Sequence, residues 1–144
     1  MKHSKVDLSK RLVGDWTLIS YDAIAPDGTR RHPYGRAVGR LSYGPHGHMA
    51  GHVMRPDRAP VDTHGDGQKF RAAFRGYIAY FGTYEVSDAG DTVVHHVEGA
   101  LNPSWVGGDQ VRRMSFHGDL LVLETDVVKG GRPIRHVLTW RKLP

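Results

Sequence analysis

The side chains best suited to chemistry are histidines, tyrosines and an arginine that share one face of predicted β-strands. Successive side chains of a strand point to opposite faces. In the predicted strand 92–100, His95 therefore shares a face with Val93 and Val97, which should be the buried face. Applied to each predicted strand, this rule places six polar residues among the apolar inward positions: Tyr43, Tyr80, Tyr84, His95, Arg112 and His136.

These side chains would support ligand binding or proton transfer. An inward-facing imidazole such as His95 binds a ligand oxygen or transfers a proton near neutral pH. The planar guanidinium of Arg112 would bind a carboxylate, a phosphate or an enolate. Tyr84 would act as an acid, with His95 as the base, if the two are close. The alternatives are structural: a core histidine bonded to a tyrosine, tyrosines that fill the interior, and a bulge that turns Arg113 inward instead of Arg112.

Several polar groups in an apolar interior indicate a binding cavity. An unpaired polar group in a dry core costs roughly 1–3 kcal/mol, whereas a few polar contacts in an apolar cavity are typical of a ligand site. Trp105 follows Asn102-Pro103, so it either lines the mouth of the cavity or belongs to a simple turn. The predicted ligand-binding residues are Tyr43, Tyr80, Tyr84, His95, Trp105, Arg112, Met114 and His136.

Metal and cofactor chemistry is not expected. The chain has ten histidines and no cysteine, which excludes a thiolate zinc site. His95 and His96 are adjacent and point to opposite faces, and His48 and His52 are about 13 Å apart on an extended strand. A site across three strands that includes His95 and His136 is the remaining metal alternative. No glycine-rich phosphate loop or Gly-x-Ser-x-Gly motif is present.

The charge pattern argues against nucleic acid as a partner. The formal net charge is +5, from 20 Lys and Arg against 15 Asp and Glu, but the basic residues are scattered and form no basic helix. No apolar run approaches the roughly 20 residues of a membrane span, and no leader segment is recognised. With no cysteine, a cytoplasmic location is expected.

The elements that position these residues are short strands separated by glycine- and proline-rich turns. The alternation and the strand spacing predict an all-β, antiparallel fold, a sandwich or an up-and-down barrel, of about eight or nine strands in one domain, residues 1–144. One short helix, Gln68 to Gly76, is predicted, as either a lid or a plug at the base. An irregular second strand, from Thr29 to Tyr34, leaves an edge that would allow a homodimer.

Four segments and the chain's end resemble the lipocalin-like domain family of bacteria and fungi. They are Leu12–Tyr21 (LVGDWTLISY), Gly39–Met49 (GRLSYGPHGHM), Ala79–Val86 (AYFGTYEV), His95–Gly107 with Gln110–Arg113 (HHVEGALNPSWVG and QVRR), and Leu138–Arg141 (LTWR). The resemblance implies a lipocalin-like β-barrel with a ligand in its lumen. Gly14, Trp16 and Arg141 also resemble lipocalins generally, in which an arginine packs across the tryptophan at the closed end.

Two functions are compatible with this interpretation. The first is binding of a small hydrophobic or amphipathic organic molecule in the lumen. The second is a cofactor-free isomerase, cyclase or lyase, in which His95 transfers a proton while Arg112 and Tyr84 stabilise charge on an enolate-like intermediate. The resemblance does not separate the two, because a fold does not fix a function.

Overall fold

Nine strands form one antiparallel sheet in the part of the chain that the structure, a computed structural model, describes: residues 5–62, 64–65 and 67–144. The strands are β1 (Gly14–Ile24), β2 (Arg30–Arg31), β3 (Val38–Tyr43), β4 (His48–Met54), β5 (Tyr77–Val86), β6 (Thr92–Ala100), β7 (Asp109–His117), β8 (Leu120–Lys129) and β9 (Arg132–Lys142). Their order is β2-β1-β3-β4-β5-β6-β7-β8-β9, and β1 also pairs with β9. Eight strands therefore close into a barrel, as predicted, and β2 is an additional short strand beside β1.

A bulge in β1 lets the first strand close the barrel. The register between β1 and β9 shifts between Leu18 and Ser20, so the inward parity changes by one residue. Leu18 and Tyr21 are both buried as a result, while Ile19 is 44% exposed. The bulge thus aims the second half of β1, including Tyr21, at the interior.

One end of the barrel is plugged by a helix that the sequence analysis missed. Helix α1 (Lys5–Leu12) buries Leu12 completely. The Trp16 indole N–H donates to the Leu12 carbonyl at 2.9 Å, and Arg11 donates to the Gly118 carbonyl at 3.2 Å. The prediction of a single helix was therefore wrong, because Leu12 was assigned to the first strand and the remaining short segment carries little apolar periodicity.

The predicted helix is present and lies at the other end. Helix α2 (Gly67–Arg75) connects β4 to β5 and buries none of its residues. Since α1 packs near the turns that follow β5 and β7, α2 is at the opposite, open end. It is not the base plug, and this open end is called the mouth below.

The cation beside Trp16 is a lysine and not the expected arginine. The Lys142 ammonium lies 5.3 Å from the centre of the Trp16 ring, because Trp16 pairs in register with Lys142 and Thr17 pairs with Arg141. Arg141 points to the outside and lies 3.4 Å from an Asp119 carboxylate oxygen. Within the described ranges, no helix is long and apolar enough to cross a membrane.

Candidate functional site

The barrel interior contains a cavity of about 260 Å³ that opens toward the mouth. Its wall is mainly apolar, and the apolar lining includes Leu41, Val53, Ile78, Leu123, Leu138 and Trp140. The polar lining includes Tyr21, Tyr80, His95, Gln110, Arg112, Thr125 and His136. This volume is slightly below the roughly 300–1,000 Å³ of pockets for drug-sized ligands, so it suits a smaller molecule.

His95 is held between two tyrosine hydroxyls. The imidazole is 2% exposed. Its Nε2 lies 2.5 Å from the Tyr43 hydroxyl, and its Nδ1 lies 2.6 Å from the Tyr80 hydroxyl. Burial, followed by the positive charge of Arg112, lowers the pKa of His95 to about 3. The ring is therefore neutral at physiological pH, with one nitrogen as donor and the other as acceptor.

The surroundings of Tyr43 fix the direction of these hydrogen bonds. Tyr43 is 1% exposed, and within the described residues its hydroxyl has no hydrogen-bond partner besides His95. A buried hydroxyl proton without an acceptor is costly, so Tyr43 donates to Nε2. The proton of His95 is then on Nδ1 and is donated to the Tyr80 oxygen. The Tyr80 hydroxyl proton is left to point into the cavity.

A second tyrosine–histidine pair has the same arrangement on the other side. The Tyr21 hydroxyl lies 2.7 Å from Nδ1 of His136, and burial raises the pKa of Tyr21 to about 12. Burial and the charge of Arg112 lower the pKa of His136. Tyr21 is buried, and among the described residues its hydroxyl has no acceptor other than His136, so we assign Tyr21 as the donor to Nδ1 and place the proton of neutral His136 on Nε2. This places a second N–H or O–H donor on the cavity wall.

Among the described residues that line the cavity, Arg112 is the one with a permanently charged side chain. Its guanidinium donates to the Gln110 side-chain oxygen at 3.0 Å and to the Val111 carbonyl at 2.9 Å. No carboxylate of the described chain forms an ion pair with it. Arg113 faces outward and donates to Asp126 at 3.2 Å, so the alternative in which a bulge turns Arg113 inward was wrong.

Three further predicted residues do not line this cavity. Tyr43 lies behind His95. Tyr84 is opposite His95 in the strand register, but its hydroxyl donates to the Gly44 carbonyl at 2.6 Å and its side chain leans toward the β3–β4 turn. Tyr80, and not Tyr84, therefore forms the hydrogen bond to the histidine. Met114 is 6% exposed and packs in the core, one inward position closer to the plugged end than Arg112.

Trp105 lines the cavity from the loop between β6 and β7. Asn102 begins the short 3₁₀ helix Pro103–Trp105 and accepts a hydrogen bond from the Ser104 backbone N–H at 3.0 Å. The Trp105 ring stands at 90° to Tyr80, with 6.2 Å between ring centres. The loop therefore both forms a turn at Asn102 and, through that turn, places the Trp105 indole at the cavity.

Tyr21 was not predicted as a lumen residue, because the β1 bulge breaks the alternation on which the assignment of inward faces depends. The hydrogen-bond donors on the lumen wall include the Tyr80 O–H, the His136 Nε2–H and the Arg112 guanidinium. Acidic residues are absent from the described lining. The arrangement suits a ligand that presents oxygen acceptors or negative charge. No group of three metal-binding side chains occurs among the described residues.

Comparisons with known proteins agree with this architecture. The family model of the lipocalin-like domain matches residues 13–143. The 4'-hydroxy-3'-methoxypropiophenone carrier protein ppsC of Aspergillus oryzae (strain ATCC 42149 / RIB 40) is 36% identical over 108 residues, which cover 67% of this chain and 97% of that protein. The structure of EF1p2_mFAP2b bound to DFHBI covers 97% of this chain and 100% of its own, at 11% identity and a TM-score of 0.50, and supports the fold alone. With the cavity, these findings support small-molecule binding.

Proposed function

We propose that this chain, which belongs to the lipocalin-like domain family, binds a small aromatic molecule that carries carbonyl or hydroxyl oxygens in its barrel lumen. The observation that carries the proposal is that Tyr80, Arg112 and His136 line an otherwise mainly apolar cavity of about 260 Å³. An aryl ketone with ring oxygens matches both features, because its ring is apolar and its oxygens accept hydrogen bonds. The Aspergillus relative is a carrier protein of 4'-hydroxy-3'-methoxypropiophenone, which is a compound of this kind.

The wall supports binding better than catalysis. Both nitrogens of His95 are engaged by tyrosine hydroxyls, and the low pKa of the imidazole makes it a weak base. In a cofactor-free isomerase, cyclase or lyase, a proton would have to pass between the substrate and His95 through the Tyr80 hydroxyl. Burial raises the pKa of that hydroxyl. We therefore favour a carrier or binding protein over the enzyme alternative. In this proposal Tyr80, Arg112 and His136 orient the ligand oxygens, and Trp105 covers the ring.

Tryptophan fluorescence tests the proposal directly, because Trp105 and Trp140 both line the cavity. Titration with 4'-hydroxy-3'-methoxypropiophenone should give saturable quenching. Tyr80→Phe removes one donor and should weaken binding roughly three- to tenfold, the equivalent of about one net hydrogen bond. Chromatography of the ligand after incubation should recover it unchanged.

Tyr84→Phe is the matched control for this substitution. Tyr84 is on the same strand, but it does not line the cavity, and its hydroxyl donates to the Gly44 carbonyl at 2.6 Å. Its affinity should equal that of the wild type. The proposal fails if no saturable quenching occurs or if both variants weaken binding equally. Conversion of the ligand to a new compound would favour the enzyme.

A further inference from the structure

A second cavity, of about 600 Å³, lies at the mouth. It is enclosed by the β1–β2 hairpin on one side and the β8–β9 hairpin on the other. His136 and Val127 line both this cavity and the lumen, so the lumen continues into it. We call it the vestibule, and its polar lining includes Asp27, Thr29, Arg31, Lys129 and Arg132.

The vestibule lining carries more positive than negative charge, since it has Arg31, Lys129 and Arg132 but only Asp27 as an acidic residue among the described residues. Arg31, Lys129 and Arg132 form no ion pair with a carboxylate in the described part of the chain. Lys129 and Arg132 are directly opposite in the β8–β9 register, and like charges at such positions are destabilising. Asp27 accepts the Thr29 backbone N–H at 2.9 Å, and this hydrogen bond together with the nearby charge of Arg132 lowers the pKa of Asp27. Asp27 therefore offsets part of the charge of Arg132 and leaves the vestibule with a positive excess.

Cations on the other face of the same strands are neutralised, which makes the vestibule distinctive. Arg30, next to Arg31, donates to Asp22 at 2.6 Å. Arg135, on β9, donates to Glu124 at 3.1 Å. Pairing with acids thus occurs on one face of these strands, while the face turned to the vestibule keeps its charge. An anion in the vestibule would offset the Lys129–Arg132 repulsion.

We propose that the vestibule binds an anionic group, a carboxylate or a phosphate, on a ligand whose aromatic part occupies the lumen. This inference rests on the proposed function, because it extends the same ligand through the opening beside His136 and Val127. Lys129 and Arg132 hold the anionic oxygens, and the chain linking them to the ring passes His136. The ligand class becomes an aryl ketone with an anionic tail.

The test compares probes that differ only in tail charge. The probes are 4-hydroxy-3-methoxyphenyl alkyl ketones whose alkyl chain ends in a carboxylate, its methyl ester or a phosphate monoester, over several chain lengths. At low ionic strength an anionic probe of suitable length should bind more tightly than its ester, by roughly fivefold for each exposed ion pair formed. Added salt should reduce this preference. A greater gain for the phosphate than for the carboxylate would identify phosphate as the natural group.

Variants assign the preference to the vestibule. The double substitution Lys129→Gln with Arg132→Gln should abolish the preference for the anionic probe and leave binding of uncharged 4'-hydroxy-3'-methoxypropiophenone unchanged. Arg135→Gln, on the other face of β9, is the matched control and should keep the preference.

Three outcomes would overturn the inference: no preference in the wild type at any chain length, a preference that survives the double substitution, or a preference that Arg112→Gln alone removes. Failure of the proposed function is distinguishable, because in that case the uncharged ketone does not bind the wild type either.

Discussion

His95 shows at the scale of one residue how burial sets the chemistry of the lumen. Desolvation disfavours the imidazolium, and Arg112 adds like-charge repulsion. The two tyrosines satisfy both ring nitrogens, so the neutral ring costs little to bury. The result is a histidine that positions a hydroxyl donor and does not itself titrate near neutral pH.

This burial makes stability depend on pH below about 6.5. The unfolded chain binds a proton at His95 with a pKa near 6.5, whereas the native state does so only near 3. The contribution of His95 is therefore full above pH 6.5 and is lost as the pH falls, by roughly 1.4 kcal/mol per pH unit. His136, with its lowered pKa, acts in the same direction. Urea unfolding between pH 6.5 and 4.5 should show a falling free energy of unfolding.

His96, the next residue, is the natural control because it points outward. It bonds to Asp109 at 2.7 Å and to Glu85 at 2.6 Å, and these hydrogen bonds raise its pKa. Its stabilisation is present below the unfolded pKa and is lost as the pH rises through the folded pKa. His96→Gln should therefore change the profile above pH 6.5 and leave the fall below it. A flat wild-type profile from pH 6.5 to 4.5 would contradict the assignment.

The alternation of apolar and polar residues along the strands predicted which face each side chain points to, but not the hydrogen-bond partner of each tyrosine hydroxyl. The parity of β5, β6, β7 and β9 correctly placed Tyr80, His95, Arg112 and His136 on the lumen. It could not choose between Tyr80 and Tyr84 as the partner of His95, because strand coiling and side-chain lean decide that contact. Tyr21 escaped because one bulge reverses parity without a strong sequence signal.

At the scale of elements, the two helices have separate tasks. Helix α1 supplies Leu12 to the core beneath Trp16, at the plugged end. Helix α2 is at the mouth and exposes Phe70 and Phe74 at 41% and 44%. The strands were predictable because two-residue alternation and turn glycines recur along the chain. Helix α1 was not, since eight residues give too few turns to show a helical period.

Leu12→Ala should separate stability from binding. The side chain is completely buried, so its truncation should lower the free energy of unfolding by about 2–4 kcal/mol. Ligand affinity should stay within about twofold, because the plug is at the end away from the lumen opening. Phe70→Ala, on the exposed face of α2, should change stability by less than about 0.5 kcal/mol. Urea unfolding and fluorescence titration of both variants check these values, and equal destabilisation by the two would refute the plug.

The whole molecule is a barrel with one plugged end and one open end. The pairing of β1 with β9 closes the wall, α1 fills the base, and the lumen leads through the vestibule to solvent. Strand number and spacing predicted a sandwich or a barrel, and the family resemblance implied the barrel. Which end is open could not be predicted, because it depends on the lengths of the β8–β9 hairpin and of the loops around it.

Because the lumen opens to solvent at one end of the barrel, a bound ligand at that opening should shield Val127 and leave Val128 exposed. Val127 lines both cavities, while its neighbour Val128 points to the other face and is 71% exposed. The chain has no cysteine, so Val127→Cys or Val128→Cys introduces a unique thiol. With 4'-hydroxy-3'-methoxypropiophenone at ten times its Kd, alkylation of the cysteine at 127 should slow about tenfold, since only the ligand-free protein reacts. The rate at 128 should not change; equal protection at both positions, or at neither, would rule out this path.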